Sequence, residues 1–229
     1  MLLYYITDRT QFPGDEAIRR RRVLEKIADA ARFGVDYVQL REKDLPTRKL
    51  EALAREAMEV LRDAAKSRSE TGTQRVETRL LINSRTDIAL AVGADGVHLR
   101  SDDISPSVVQ KIWNQCGHGR LARAIVGISC HSLAEVARGA ARGADFAVFA
   151  PIFGKKVEEK NAPDTLPTEL DNLRQVCQQD IPVLALGGIT LENASACLEA
   201  GAAGIAGIRL FQENEIRKVV EVLQNSALR

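Results

Sequence analysis

The sequence contains few of the features that mark disulfide-rich, membrane-spanning or nucleic-acid-binding proteins. Its four cysteines show no paired spacing such as Cys-x-x-Cys, so they do not predict a disulfide scaffold and are interpreted mostly as small core residues. No apolar run approaches the roughly 18 residues needed to span a bilayer, so we expect no membrane role. The net charge is only +1, which gives no electrostatic reason to expect a nucleic-acid partner.

The chain does contain enough apolar sequence for one enzyme-sized domain. Of its 229 residues, 45% are hydrophobic, and a core of this size can be buried without disulfides or metals. We therefore expect residues 1–229 to form a single domain. The N-terminus begins with a strand-like run and lacks the charged, then apolar, then small-residue order of a secretion signal, which predicts a cytoplasmic protein.

One phrase occurs four times in related form, beginning at Gly34, Gly93, Gly143 and Gly201. In each copy an Ala-rich amphipathic segment precedes the glycine and a β-rich run follows it. Each phrase therefore predicts a helix end joined to a strand start. The copies recur every 50 to 59 residues, which fits two consecutive strand-helix modules and is too long for a solenoid repeat.

Four further apolar runs alternate with these copies and predict the remaining strands. They begin at Leu2, Arg79, Ala124 and Pro182, and they are almost continuously apolar, as parallel strands covered on both faces are. Helix-like segments lie between the strands, at about residues 15–33, 46–67, 87–92, 105–115, 133–142, 168–178, 191–200 and 214–226. Eight such units that close on themselves form a (β/α)8 TIM barrel, which is the predicted fold. An open doubly wound sheet is the alternative, although such sheets rarely repeat one unit so evenly.

In a TIM barrel the active site lies at the C-terminal ends of the strands, where the second predicted strand carries the sharpest signal. With a side-chain period of two, Gln39 and Arg41 point to one face, and Lys43 can follow them at the rim. Such a polar triplet is costly inside a barrel unless it meets anions or water, so a phosphate or pyrophosphate is the predicted partner. The alternative is a structural ion network in which Arg41 and Lys43 pair with acidic neighbours such as Glu42 and Asp44.

Other strand ends carry weaker signals. The peptide nitrogens of Gly187-Gly188, after the seventh strand, could form a phosphate cup with Arg209 beside it, or the pair could make a tight turn. Asp102 and Asp103 follow the fourth strand, where carboxylates could recruit Mg²⁺ or could cap the next helix.

Two of the three histidines, His98 and His131, fall at strand ends. His131 could shuttle protons or hydrogen-bond a substrate, although a histidine in such a position is often a structural group. The two histidines lack a third nitrogen or sulfur ligand at a recognisable spacing, so we do not expect a zinc site.

Several strand-end motifs occur together in this chain. They are Tyr5-Ile-Thr-Asp-Arg9, Gln39-Leu-Arg-Glu-Lys43, Leu81-Ile-Asn83, Ala94-Asp-Gly-Val-His-Leu99 followed by Asp102-Asp103, Gly127-Ile-Ser-Cys-His-Ser132, Pro151-Ile-Phe153 and Ala185-Leu-Gly-Gly-Ile189. Over almost the whole chain, this combination resembles the thiamine phosphate synthase family and its relatives, the TenI-type thiazole tautomerases. The second and fifth motifs are rather specific together, whereas either alone would be weak.

The resemblance implies an enzyme that joins a hydroxymethylpyrimidine pyrophosphate to a hydroxyethylthiazole phosphate and releases pyrophosphate. In that family the pyrimidine ionises before the thiazole nitrogen attacks, so catalysis depends on stabilising the leaving group and on positioning. The resemblance assigns Gln39, Arg41, Lys43 and Lys156 or Lys160 to the pyrophosphate, Asn83 and Asp103 to the pyrophosphate and Mg²⁺ region, Ser129 to the leaving group, and Gly188, Ile208 and Arg209 to the thiazole phosphate.

Some positions depart from the family pattern. Ser84 stands where the synthases have a magnesium-binding Asp, so the Mg²⁺ site is incomplete, and Arg100-Ser101 replaces the usual Gly-Gln and could place a cation there. Arg209 replaces a small hydroxyl residue, and the loop 154–161 is rich in lysine. These departures leave two alternatives open: a TenI-like tautomerase with His131 as its acid-base group, and a non-catalytic protein that binds phosphorylated ligands. Because barrels of this kind often pair, a homodimer is a further expectation.

Overall fold

Eight parallel strands hydrogen-bond in chain order and close into a barrel, with the last strand pairing with the first. The computed structural model describes residues 1–70, 77–116, 121–153 and 169–226. The strands are β1 (Leu2–Ile6), β2 (Tyr37–Leu40), β3 (Arg79–Asn83), β4 (Gly96–Leu99), β5 (Ile125–Cys130), β6 (Phe146–Phe149), β7 (Val183–Ala185) and β8 (Gly204–Gly207). The predicted (β/α)8 TIM barrel is therefore confirmed, and the open-sheet alternative is wrong.

Helices alternate with the strands. In the described ranges they are α1 (Glu16–Phe33), α2 (Thr47–Glu70), α3 (Thr86–Val92), α4 (Pro106–Cys116), α5 (Leu133–Ala141), α6 (Glu169–Val176), α7 (Ala194–Glu199), α8 (Arg209–Gln212) and α9 (Ile216–Ser226). All of the expected helices occur, at bounds that differ by a few residues, and α8 is an addition that is too short to produce a helical periodicity. None of these helices combines the length and the apolar character that crossing a membrane would require.

The four repeated glycines end helices as expected. Their φ angles are 86° at Gly34, 67° at Gly93, 80° at Gly143 and 99° at Gly201, all in the left-handed region that side chains disfavour. The glycine at the start of each phrase thus allows the chain to leave a helix and enter the next strand within a few residues.

An aspartate in three of the four phrases joins neighbouring strands at the N-terminal end of the barrel. Each carboxylate accepts a hydrogen bond from a backbone N–H near the start of the preceding strand. These bonds join Asp36 to the nitrogen of Leu3 (2.8 Å), Asp95 to that of Leu80 (2.9 Å) and Asp145 to that of Val126 (2.8 Å). Because this end lies opposite the catalytic face of a TIM barrel, the repeated aspartate serves stability.

Side chains that point into the barrel change from apolar to polar along the strands. The apolar layer consists of Tyr4, Ile6, Leu81, Phe146, Val148, Leu184 and Ala206, which pack against one another. With the period of two, the next inward positions are Gln39 after Tyr37, Asn83 after Leu81 and Ser129 after Gly127. Polar side chains therefore converge at the C-terminal ends of the strands, next to this apolar layer.

Removing the strand-joining carboxylate of Asp95 should destabilise the barrel. Asp95 is fully buried, and it also pairs with the guanidinium of Arg79 at 3.2 Å. We expect Asp95→Ala to lower the free energy of unfolding by about 3 kcal/mol, because it leaves the Leu80 amide without its acceptor and Arg79 with a weaker one. Urea denaturation followed by circular dichroism measures this change.

The matched control is Asp87→Ala, since Asp87 pairs with Arg85 on the surface and its side chain is 64% exposed. That variant should lose about 1 kcal/mol or less. Equal losses in the two variants would contradict the structural role of the repeated aspartate.

Candidate active site

A continuous chain of polar contacts connects the ends of β2, β3 and β4. Gln39 donates from Nε2 to Oδ1 of Asn83 at 2.9 Å, and Nδ2 of Asn83 lies 3.4 Å from Oγ of Ser84. Ser84 in turn donates to Oδ2 of Asp103 at 2.5 Å. The structure therefore brings together four positions that the sequence pointed to at three separate strand ends.

The acidic groups near β2 are bound to Arg9, and this decides between the two interpretations of the strand-two cations. The Arg9 side chain is only 4% exposed, and its guanidinium contacts Glu42 at 3.2 Å and Asp44 at 2.6 and 2.8 Å. Across the described residues, no carboxylate lies within ion-pair distance of Arg41 or Lys43. The structural ion network exists, but Arg9 forms it in place of Arg41 and Lys43.

The three cations at this edge, Arg41, Lys43 and Arg100, repel one another. The pKa of Lys43 is lowered, first by the positive charge of Arg41, then by partial burial and by the charge of Arg100. Arg41 is half-buried, and Lys43 and Arg100 are exposed. An anion that binds among these three side chains would relieve their mutual repulsion, as a phosphate or pyrophosphate would.

Asp103, the predicted Mg²⁺ ligand, has both oxygens in contact with protein donors. Oδ2 accepts hydrogen bonds from the Arg100 backbone nitrogen at 2.8 Å and from Ser84, and Oδ1 lies 3.3 Å from the Arg100 guanidinium. Partial burial would raise the pKa of Asp103, but these hydrogen bonds and the charge of Arg100 lower it below its usual value. Within the described part of the chain, no group of three or more His, Cys, Asp or Glu side chains is arranged to hold a metal ion.

His98 lies inside the barrel, between Tyr4 and Ser129. Tyr4 Oη is 3.1 Å from His98 Nδ1, and His98 Nε2 is 2.9 Å from Ser129 Oγ. Gly127 leaves room for this arrangement, since a Cβ there would lie 2.5 Å from the ring of Phe146 and 2.8 Å from His98. Tyr4 is not among the predicted site residues, although its inward position follows from the period of two along β1.

The protonation states in this buried chain orient the hydroxyl of Ser129. Burial, and then the charge of Arg41, lowers the pKa of His98 to about 3, so its ring is neutral. Burial raises the pKa of Tyr4, which remains protonated, and among the described residues its hydroxyl has only His98 Nδ1 as an acceptor. His98 therefore donates from Nε2 to Ser129, and the Ser129 hydrogen is left to donate to a ligand.

A cavity lies between the loops that follow β7 and β8. Its volume is about 390 Å³, and Gly188, Ile208 and Arg209 are among the residues that line it. Gly188 has φ 64°, and a Cβ there would lie 1.8 Å from the carbonyl oxygen of Phe153, so only glycine fits. Arg209 is exposed and begins α8, the unexpected short helix, in the position where many TIM barrels have a phosphate-binding helix.

One predicted group, His131, stands apart from this arrangement, and the two predicted lysines cannot be compared with it. His131 is exposed, and its ring donates from Nδ1 to the carbonyl oxygen of Ala150 at 2.7 Å. Lys156 and Lys160 lie outside the described residues, so their assignment to the pyrophosphate stays a prediction.

The fold and these strand ends define a TIM-barrel protein with a cationic site and a glycine-lined cavity on its catalytic face. A sequence model of the family described as thiamine monophosphate synthase matches residues 3–211. The chain belongs to that family.

Relatives of known name agree with this membership. The chain is 40% identical to "Putative thiamine-phosphate synthase 2" of Aquifex aeolicus over 92% of its own length and 97% of the relative. It is 33% identical to "Thiamine-phosphate synthase" of Syntrophomonas wolfei, over 98% of the chain and 97% of the relative. Among solved structures, thiamine phosphate pyrophosphorylase from Pyrococcus furiosus aligns with a TM-score of 0.73 and 28% identity, covering 99% of this chain and 95% of that one.

The buried neutral His98 predicts a loss of stability in acid. Its pKa is about 3 in the folded protein, compared with the ordinary value of 6.5 expected in the unfolded chain. Between these values the unfolded chain binds a proton that the folded protein does not. Stability should therefore fall as the pH decreases below 6.5, with His98 contributing up to about 1.4 kcal/mol per pH unit.

Urea unfolding at a series of pH values between about 7 and 5 measures this dependence. His98→Gln should show a smaller slope of unfolding free energy against pH, whereas Arg217→Gln, a change at an exposed arginine that stays charged in this range, should keep the slope of the unchanged protein. An equal slope in His98→Gln and the unchanged protein would contradict the assignment.

Proposed function

We propose that this chain is a thiamine-phosphate synthase, which joins hydroxymethylpyrimidine pyrophosphate to hydroxyethylthiazole phosphate and releases pyrophosphate. The main support is the convergence of Arg41, Lys43 and Arg100 beside the Gln39-Asn83 contact, in a chain that belongs to the synthase family. The cluster has the charge and the donor geometry that a pyrophosphate leaving group requires.

In the proposed reaction, the bond between the pyrimidine methylene carbon and the pyrophosphate oxygen breaks first. Its electron pair leaves with the pyrophosphate, and the resulting cation is stabilised by the aminopyrimidine ring. The thiazole nitrogen then forms the new carbon-nitrogen bond. The protein contributes by stabilising the charge on the departing oxygens and by excluding other orientations of the two substrates.

Each part of the site has a separate role in this proposal. Arg41 and Lys43 bind the pyrophosphate oxygens, and Gln39 is held for the same task by its bond to Asn83. Ser129 donates its hydroxyl hydrogen to the leaving group, because His98 occupies its acceptor side. The cavity lined by Gly188, Ile208 and Arg209 binds the thiazole phosphate.

The residues that the structure describes do not fit a magnesium site of the kind that the family resemblance implies. Mg²⁺ requires oxygen ligands at about 2.0–2.1 Å in octahedral geometry. Among the described residues, Asp102 and Asp103 both contact Arg100, both oxygens of Asp103 already accept from protein donors, and position 84 offers a hydroxyl in place of a further carboxylate. No step of the proposed mechanism is therefore assigned to a metal ion.

Substitution of Arg41 should impair turnover far more than stability. Its side chain is half-buried and lacks a described carboxylate partner, so Arg41→Ala should change the unfolding free energy by about 1 kcal/mol or less. The loss of a donor to the developing pyrophosphate charge should lower kcat by about 100-fold or more. Arg217→Ala, which removes an exposed arginine of α9 that pairs with Glu221, is the matched control and should leave turnover unchanged. Undiminished turnover in Arg41→Ala would remove the assignment of the strand-two cations.

Product analysis tests the proposed function itself. Purified protein is incubated with both phosphorylated substrates, and thiamine phosphate and pyrophosphate are measured by mass spectrometry, with and without Mg²⁺. We expect both products in equal amounts. Binding of the substrates without either product would reject the synthase and favour a non-catalytic binding protein.

The same preparation distinguishes the tautomerase alternative. In His131 the bond from Nδ1 to Ala150 leaves Nε2 as the nitrogen that can exchange a proton. A tautomerase would isomerise a thiazole carboxylate phosphate and would lose that activity in His131→Ala. We expect no such isomerisation, and His131-dependent isomerisation without thiamine phosphate formation would replace the synthase assignment.

A further inference from the structure

We propose that Arg100 binds pyrophosphate directly, and that this site therefore binds pyrophosphate without a divalent cation. The inference rests on the proposed function in taking pyrophosphate as the anion. It concerns a residue that the family resemblance does not assign to any substrate.

The position of Arg100 follows from the alternation of side chains along β4. His98 faces the barrel interior, and Arg100, two residues further, continues on the same side at the rim. β4 pairs with β3 on one side and with β5 on the other. Arg100 thus follows the strand between the one that ends in Asn83 and the one that carries Ser129.

Two cavities meet at Arg100. One, of about 300 Å³, is also lined by Lys43, Asn83 and Ser84, and the other, of about 40 Å³, is also lined by Ser129. The Arg100 side chain is 54% exposed, so a ligand can reach its guanidinium. A pyrophosphate bound beside Lys43 and Asn83 in the larger cavity would therefore reach Arg100.

The contacts of Arg100 hold it at this edge but leave donors for an anion. Asp102 contacts Nε at 3.4 Å, and Asp103 contacts one terminal nitrogen at 3.3 Å. A guanidinium carries five N–H donors in a planar fork that matches phosphate oxygens in pairs. The terminal nitrogens are thus available for a bidentate contact with a phosphoryl group.

The same contacts oppose a metal ion at Asp103. A cation bound to Oδ1 would lie beside the positively charged guanidinium, and one bound to Oδ2 would displace the donors from Ser84 and from the Arg100 backbone. Ser84 supplies no second negative charge to compensate. The lowered pKa of Lys43, caused first by Arg41 and also by Arg100, is consistent with a cluster in which side-chain cations already provide the positive charge.

Isothermal titration calorimetry with inorganic pyrophosphate tests the inference separately from turnover. The full-length protein is titrated in EDTA and, in parallel, in excess MgCl₂. We expect the two dissociation constants to agree within about threefold, and we expect Arg100→Ala to weaken binding in EDTA by about tenfold or more. Arg100→Lys should show an intermediate loss, since it keeps the charge but loses the bidentate geometry, and Arg217→Ala should bind as the unchanged protein does.

Two results would overturn the inference. One is pyrophosphate binding that requires Mg²⁺, and the other is unchanged binding by a folded Arg100→Ala protein in EDTA, with folding verified by circular dichroism. Failure of the proposed function has a different signature. Arg100-dependent pyrophosphate binding in EDTA without formation of thiamine phosphate would reject the synthase and leave this inference standing, whereas thiamine phosphate formation by a protein that binds pyrophosphate only with Mg²⁺ would do the reverse.

Discussion

The buried ion pair between Arg9 and Glu42 determines how the cationic edge of the barrel is arranged. Glu42 accepts hydrogen bonds from Thr7 and from the backbone and side chain of Arg9, and Thr7 in turn accepts from the backbone nitrogen of Arg41. The loop after β2 is thereby tied to the end of β1. Glu42 is buried by this pairing, whereas Arg41 is half-buried and Lys43 is exposed in the turn that follows. A charge that is buried away from water must be paired. Here the pairing of Glu42 with Arg9 also leaves Arg41 and Lys43 available to a ligand.

The interior of the barrel prepares the site by controlling which polar groups can donate. Tyr4 and His98 lie among aromatic rings, so both are neutral and their hydrogen-bonding directions are determined by each other. In this arrangement the Ser129 hydroxyl accepts from His98 and keeps its own hydrogen for a further acceptor. Donors held in place before the substrate arrives need no reorganisation when charge develops, which is the physical source of electrostatic catalysis.

The end of β4 shows how a member of the family can keep the fold of the site while a different group supplies its positive charge. Ser84 and Asp103 remain in contact at 2.5 Å, but the second hydrogen-bonding partner of Asp103 is Arg100. An arginine delivers one positive charge in a fixed planar geometry, whereas Mg²⁺ delivers two charges and demands several oxygen ligands. Because Asp102 and Asp103 both pair with Arg100 and position 84 is a serine, the described residues have the donor set for the first of these solutions.

The sequence by itself determined the barrel, because the glycine-ended helices and apolar strands depend on local periodicity that recurs four times, and the C-terminal ends of parallel strands must share one face. It also indicated Gln39 and Arg41 from their place at a strand end, whereas Asn83 and Ser129 were indicated by the family resemblance of their motifs. Only the tertiary structure decided that Arg9 pairs with Glu42, that Arg100 pairs with Asp103 across a loop, and that His98 contacts Ser129. The physical reason is that burial and the distance between separate strands determine which partner a polar side chain has, and spacing along the chain specifies neither.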